Sequence, residues 1–412
     1  MDSPNHQLGG CGAKNFTMRI ILLEPNLIGS WGHPIEFSSS LFTHGRKVGL
    51  EVVVVSNKQI NLIAKRLFGS PVLPLITNTC FVDLGNEGAI FLNDLKEIDK
   101  ELILDENDTV IILTSYTNEI AGTNAFLRER MGSKQPHFCF LIHQLFPPEE
   151  DFIRAIKKER KEYWSHRFSD ICNNLHKHIS LFTTPSLKLR DTIQILTGIR
   201  VGTLPLPYHM SLRDIENKSK NRYTTVSFLG DGRYEKGLLM FMEAVNRLSN
   251  KKFRFVIQEA NLRGYSRRDL DRLENLMTTL RQREDVSFIV KHLSQEEFQQ
   301  IMASSDFLAL PYHPASYDMR VSGLLIQGLL TGKPAVVSSD TWLADEIKKY
   351  ATGLSFVYDQ KDTEKSINNL VNVLEEMKKK IVTYRTNTLN VSNNYREIHS
   401  PSNFFKALSL TK

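Results

Sequence analysis

From Leu229 to Gly237 the chain reads Leu-Gly-Asp-Gly-Arg-Tyr-Glu-Lys-Gly, which sets two cations among three glycines. Gly230 and Gly232 let backbone approach a ligand closely, while Arg233 and Lys236 bring a planar fork and a point charge. That combination suits a diphosphate better than a carboxylate. An ordinary turn carrying two solvated cations has the same composition. A second stretch, Tyr312-His313-Pro314-Ala315-Ser316-Tyr317-Asp318-Met319-Arg320-Val321-Ser322-Gly323-Leu324, also leads into a helical pattern. Ser322 fits an N-cap, Gly323 leaves room for a phosphate at the helix start, and Arg320 falls beside such an oxyanion. A capped helix with a surface arginine explains the same residues. Two cationic, glycine-containing strand ends in one half of the chain argue against coincidence.

The elements that must hold these groups follow from apolar periodicity. Arg19 to Leu23 reads as a strand, Pro34 to Val48 as a helix and Glu51 to Val55 as a second buried strand. That is the βαβ signature of a parallel sheet. Further apolar runs stand at Thr109 to Leu113, His137 to Ile142, Ile179 to Thr183 and Val201 to Leu204. A new series begins at Thr225, with strands at 225–229, 253–257, 286–290, 307–310 and 335–337 and helices at 237–248, 294–304 and 322–331. The expected fold is α/β, with two doubly wound, Rossmann-like domains facing a central cleft. Residues 1–17 read as a disordered tail, 18–208 as the N-terminal domain and 209–223 as a linker. Residues 224–382 read as the C-terminal domain, and 383–412 as a closing helix that packs back on the first half. Open α/β sheets bind ligands at the carboxyl ends of their strands, which is where both cationic stretches fall.

Composition narrows the class. Length 412 exceeds one ordinary core, and 41 % hydrophobic with 24 % charged residues is normal for a soluble globular protein. The net charge of +6 is mild; it fits anionic substrates or a membrane surface and does not argue for nucleic acid. No apolar run reaches spanning length, and the first residues lack a secretory signal. Four scattered cysteines form neither a zinc motif nor a disulfide framework, so a reducing cytoplasmic setting is expected. Asp269-Leu270-Asp271 is the sole Asp-x-Asp, and on a helix its carboxylates diverge, so no metal site is expected. The basic stretch Arg154 to His178, with Tyr163, Trp164 and Phe168, suits either an anionic membrane face or a solvated helix.

The order of the Gly230–Gly237 loop, Ser305-Asp306-Phe307-Leu308-Ala309-Leu310-Pro311-Tyr312, the stretch from Ser322 to Ser338, and Asp340 to Ile347 resembles the glycosyl transferases group 1 (family 4-like) clan of GT-B glycosyltransferases. The resemblance covers most of the second half and, more weakly, the first. It implies a GT-B fold and a retaining transfer from a nucleotide-diphosphate sugar, with Arg233 and Lys236 in place of a metal and no other cofactor. It further implies donor contacts at Gly230, Gly232, Arg320, Ser322, Gly323, Leu324, Gln327 and Thr341. Gln327 stands where the family's second glutamate contacts the nucleotide ribose, and Met319 where its first glutamate stands; an RxSG stretch replaces the usual motif. His143, just after a strand, is similar to a histidine that the family sets beside the reacting sugar. Gly29-Ser30-Trp31-Gly32-His33 matches the acceptor loop, with Gly32 and His33 near the acceptor and Trp31 available to stack on a sugar. A structural histidine and a simple turn explain these last two motifs as well.

The implied partners are a nucleotide-sugar donor and a carbohydrate or lipid-linked acceptor, in the cytoplasm or on the inner face of a membrane. Two other readings stay open: a nucleotide-sugar-binding partner without turnover, and an epimerase or phosphorylase on the same fold.

Overall fold

The computed structural model describes residues 18–30, 32–80, 88–130, 134–145, 158–208, 223–248 and 252–409. The N-terminal tail, Trp31, nearly all of the expected linker, and residues 154–157 of the basic stretch with the side chain of Trp164 fall outside these.

The first half forms one sheet from β1 (Arg19–Glu24), β2 (Glu51–Asn57), β3 (Val72–Ile76), β4 (Asp108–Ser115), β5 (His137–Ile142), β6 (Ile179–Thr183) and β7 (Val201–Thr203). The strands lie in the order β3-β2-β1-β4-β5-β6-β7, all parallel. Its helices are α1 (His33–Lys47), α2 (Leu62–Leu67), α3 (Ala89–Leu102), α4 (Thr117–Glu129), α5 (Lys158–Cys172) and α6 (Leu187–Thr197). β4 is buried along its whole length, as expected of a central parallel strand covered on both faces.

The second sheet contains β8 (Thr224–Phe228), β9 (Phe253–Gln258), β10 (Val286–Ile289), β11 (Phe307–Leu310), β12 (Ala335–Ser338) and β13 (Gly353–Phe356). Its order is β10-β9-β8-β11-β12-β13, again parallel. The helices here are α7 (Leu238–Arg247), α8 (Arg267–Leu280), α9 (Gln295–Ser304), α10 (Pro314–Tyr317), α11 (Gly323–Leu330) and α12 (Trp342–Tyr350). They are followed by α13 (Thr363–Ile398) and α14 (Pro401–Ser409). Strand order reverses between β1 and β4 in one sheet and between β8 and β11 in the other, the points where open sheets leave a crevice.

Several elements escape the sequence pattern. β3 carries Pro74, which an edge strand tolerates but which breaks the apolar run as read. The sequence suggests a division after residue 382; instead one helix of 36 residues, about 54 Å long, runs straight through that point. Its first turns bury Ile367, Leu370, Leu374 and Met377 in the core of the second half. Its last turns place Tyr395 in a cluster shared by both halves, and α14 adds Phe404 and Leu408 beside Leu41 and Phe42 of α1. The chain thus returns to its first half along one continuous helix.

Candidate functional site

The Gly230–Gly237 loop leaves β8 and enters α7 through a 3-10 turn, Tyr234–Lys236. Gly230 takes φ +91° and its N–H donates to Gln258 Oε1 at 2.7 Å. A Cβ at residue 230 would sit 3.0 Å from Lys236 Nζ, so the amine lies over that backbone. Gly237 takes φ +74°, and a methyl group there would overlap the Pro311 carbonyl. Glycine at 230 and 237 is therefore a backbone requirement.

The cations of this loop are not equivalent. Arg233 Nη1 meets Glu235 Oε1 at 2.7 Å and its Nε lies 3.4 Å from Asp231 Oδ2. Burial is the largest influence and opposes the charge, but Glu235, Tyr317 and Asp231 together outweigh it and hold the guanidinium above its ordinary value. Arg233 and Lys236 against Asp231 and Glu235 sum to zero formal charge, two plus and two minus. The expectation of two added positive charges is corrected accordingly: Arg233 is neutralised by its own loop. Lys236 and Arg320 form no ion pair among the described residues, and the Arg320 guanidinium lies 5.0 Å from the centroid of the Tyr317 ring. Burial, with Arg233 adding to it, pushes the Lys236 ammonium down to about 8. The net positive field of this corner thus comes from Arg320 beside a balanced cluster.

The second cationic stretch leaves β11. Ser322 Oγ accepts the Leu325 N–H at 3.2 Å and caps α11, as its position in the sequence suggests. Gly323 has a different reason from the one expected. A methyl group there would overlap Tyr208 Oη, so the close neighbour of this helix start is a tyrosine of the first half. Leu324 is partly buried and packs on the core cluster shared by the two halves. Gln327, one turn on, donates Nε2–H to Glu36 Oε2 at 2.7 Å. Met319 also reaches across: it packs on the first half's core and accepts the Thr192 hydroxyl at 3.3 Å. Thr341 caps α12, accepting the Ala344 N–H at 3.1 Å, and Trp342 Nε1–H donates to Pro185 O at 3.1 Å.

On the facing side, Gly32 precedes α1 with φ +76°, which only glycine adopts freely, and His33 is the first helical residue. The rings of His33 and His143 lie 5.5 Å apart, with Phe37 against both. His143 Nε2 lies 2.8 Å from Leu113 O. A carbonyl only accepts, so Nε2 carries the proton and Nδ1 is left as an acceptor. Burial pushes His143 down to about 4 and His33 well below its usual value. His33 also feels the positive charges of Arg320, Lys236 and Arg233, so the histidine pair lies within electrostatic reach of the cationic corner.

Sequence reasoning passed over Glu36, Tyr208 and the buried acids Glu24 and Glu119. Glu36 sits in the first turn of α1, a normal place for an acid near a helix N-terminus, so nothing local marks it. Glu24 ends β1, accepts from the Asn26 N–H and the Thr114 hydroxyl, and is pushed up to about 7 by burial. An acid at the end of an otherwise apolar strand is the one signal that could have found it. Asp269 accepts the hydroxyl of its own cap, Ser266, and Asp271 lies 3.9 Å from Arg267. Among the described residues no three His, Cys, Asp or Glu side chains are grouped to hold a metal, and no helix is long and apolar enough to cross a membrane.

No protein-family model and no curated protein matches the chain by sequence. Solved structures do match by fold. A sucrose-phosphate synthase from Thermosynechococcus elongatus aligns over 96 % of this chain and 97 % of its own, at 12 % identity and a TM-score of 0.66. Anabaena Alr3699/HepE, solved in complex with UDP and glucose, aligns over 96 % and 99 %, at 12 % identity and a TM-score of 0.66. A UDP-GlcNAc 2-epimerase from Neisseria meningitidis bound to UDP-GlcNAc aligns over 96 % and 100 %, at 12 % identity and a TM-score of 0.58. At such identity the likeness is one of fold, and that fold is GT-B.

Proposed function

We propose that the protein is a glycosyltransferase that takes a sugar from a nucleotide-diphosphate donor, without a metal ion and with retention at the anomeric carbon. The observation that carries this reading is Lys236, an ammonium with no ion pair among the described residues, laid over Gly230 at the end of β8 and within electrostatic reach of His33, which pairs with His143. A diphosphate in that corner would meet Lys236, Arg320 and the glycine backbone, while Arg233 holds the loop's acids in check. The two solved neighbours bound to uridine nucleotides make such a donor the first to try.

In this reading Lys236 and Arg320 stabilise charge as it develops on the departing diphosphate. The bond from the anomeric carbon to phosphate oxygen breaks, and the acceptor hydroxyl attacks on the same face. Its proton passes to the leaving phosphate oxygen. His143, neutral and with Nε2–H fixed on Leu113 O, offers Nδ1 as an acceptor for a hydroxyl of the sugar or of the acceptor. Gly32 and His33 line the acceptor side, and closure of the two halves keeps water from the donor. Gly232, Ser322, Leu324 and Thr341 shape the donor side.

Thermal unfolding with a panel of nucleotide diphosphates and nucleotide sugars tests the reading. A ligand at 100 times its Kd raises stability by about 2.7 kcal/mol. A shift with one nucleotide family, lost in the Arg233→Ala, Lys236→Ala double variant, supports it; no shift with any ligand overturns it.

Met319 favours a second reading. The side chain at the position of the family's first glutamate is committed to packing on the opposite half. A binding partner without turnover would show the thermal shift but release no nucleotide diphosphate. An epimerase would convert the donor with no acceptor present.

A further inference from the structure

The Glu36 to Gln327 pair, 291 residues apart in sequence, joins two polar side chains across the two halves, as the Lys188 to Asp318 ion pair does at 3.6 Å. Gln327, on α11, is 7 % exposed. Glu36, on α1, is partly buried, and no cation pairs with it among the described residues. Burial without a cation pushes the Glu36 carboxyl up to about 8, and an apolar residue of similar size is often the more stable choice. Packing therefore gives no reason for an acid here. Its one hydrogen bond holds an amide, and that amide has unlike ends. The NH2 group only donates and the carbonyl only accepts. With Nε2 committed to Glu36, Oε1 is the end left over. The same wall holds Tyr208, whose ring packs edge-on against Phe37 at 5.1 Å and whose hydroxyl touches Gly323, one turn before Gln327.

We propose that Glu36 is a positioning residue, fixing the Gln327 amide so that its carbonyl accepts a hydroxyl of the bound nucleotide sugar. This deepens the donor reading above and rests on it. The two side chains belong to opposite halves, so the amide is oriented only when the halves are together. Donor recognition and domain closure then become one event. The hydroxyl belongs either to the ribose or to the transferred sugar, and both offer the same O–H donor.

Calorimetric titration separates these cases. Uridine, adenosine and guanosine diphosphate first identify the nucleotide. That nucleotide, its 2′,3′-dideoxy form and its glucose conjugate are then titrated into wild type, Glu36→Met, Gln327→Glu and the swapped pair Glu36→Gln, Gln327→Glu. Glu36→Met is expected to weaken binding about tenfold, the scale of one hydrogen bond. If the ribose is the source, the dideoxy form shows no such loss; if the sugar is the source, only the glucose conjugate shows it. Gln327→Glu alone sets two acids against each other and weakens binding further. The swapped pair restores an amide N–H facing a carboxyl oxygen and returns binding to within about threefold of wild type. Equal weakening of every ligand, no weakening at all, or a swapped pair that fails to recover overturns the proposal. No binding of any nucleotide to wild type overturns the donor reading itself and takes this one with it. Unfolding of each variant without ligand checks the fold, and the near-isosteric swapped pair decides if Glu36→Met does not fold.

Discussion

The two strand-end regions that face each other across the cleft handle charge in different ways. On the second half burial opposes charge and pushes Lys236 down to about 8, but Glu235 and Asp231 hold Arg233 cationic within a cluster that includes Arg320. On the first half, burial works against charge: it pushes His143 down to about 4, Glu24 up to about 7 and Glu119 up to about 8. One wall is therefore a preset electrostatic surface, and the other is a set of groups inclined to neutral hydrogen bonding. That division suits the proposed transfer, in which negative charge develops on a departing diphosphate.

The comparison breaks most readily at Arg233. Removing it leaves Glu235 without its ion pair and Lys236 as the loop's one cation against two acids, at a cost of about 3 kcal/mol in stability as well as donor binding. A chemical denaturation curve for Arg233→Ala indistinguishable from wild type would show that the ion pair holds nothing. Lys236 should behave otherwise. Lys236→Met removes an ammonium that burial pushes down to about 8 and that forms no ion pair among the described residues, so the unliganded protein should unfold no earlier than wild type. Turnover should nevertheless fall about 100-fold, the usual effect of losing one group that stabilises developing charge. A drop in the unliganded midpoint would instead assign Lys236 a structural role.

Gly323→Ala sharpens the comparison at the seam between the two walls. The new methyl group meets Tyr208 Oη, and overpacking of this kind costs about 1–3 kcal/mol. Adding Tyr208→Phe should recover part of the loss, measured as the unfolding midpoint. Absence of recovery would mean that glycine is needed for some other neighbour. A further effect concerns pH. The folded value of Glu24, about 7, lies above its ordinary 4.5. Its contribution is therefore fully present below about 4.5 and is lost as pH rises through about 7. Relative to Glu24→Gln, wild type should lose midpoint steadily between pH 5 and pH 8, by a margin that heating curves at several pH values can resolve. A constant gap would mean that the carboxyl titrates alike in both states.

Sequence alone determined the parts of this protein that depend on near neighbours. Apolar runs between turn residues marked most strands, Ser322 announced its helix cap, and the glycines of the Gly230–Gly237 loop pointed to a close approach. These features depend on backbone dihedrals and on alternation, which a few adjacent residues settle. Tertiary structure decided the chemistry of the site. Asp231, Arg233 and Glu235 are near in sequence, yet only the turn geometry shows that the acids meet the arginine. Gly323 looked like room for a phosphate because the sequence does not show Tyr208 arriving from the other half. The pairing of Glu36 with Gln327, the neutral state of His143 and the lowered Lys236 all depend on burial and on partners brought from distant elements. Side-chain charge and hydrogen bonding respond to what surrounds a group in space, and for these residues that neighbourhood is assembled by two sheets closing on one cleft.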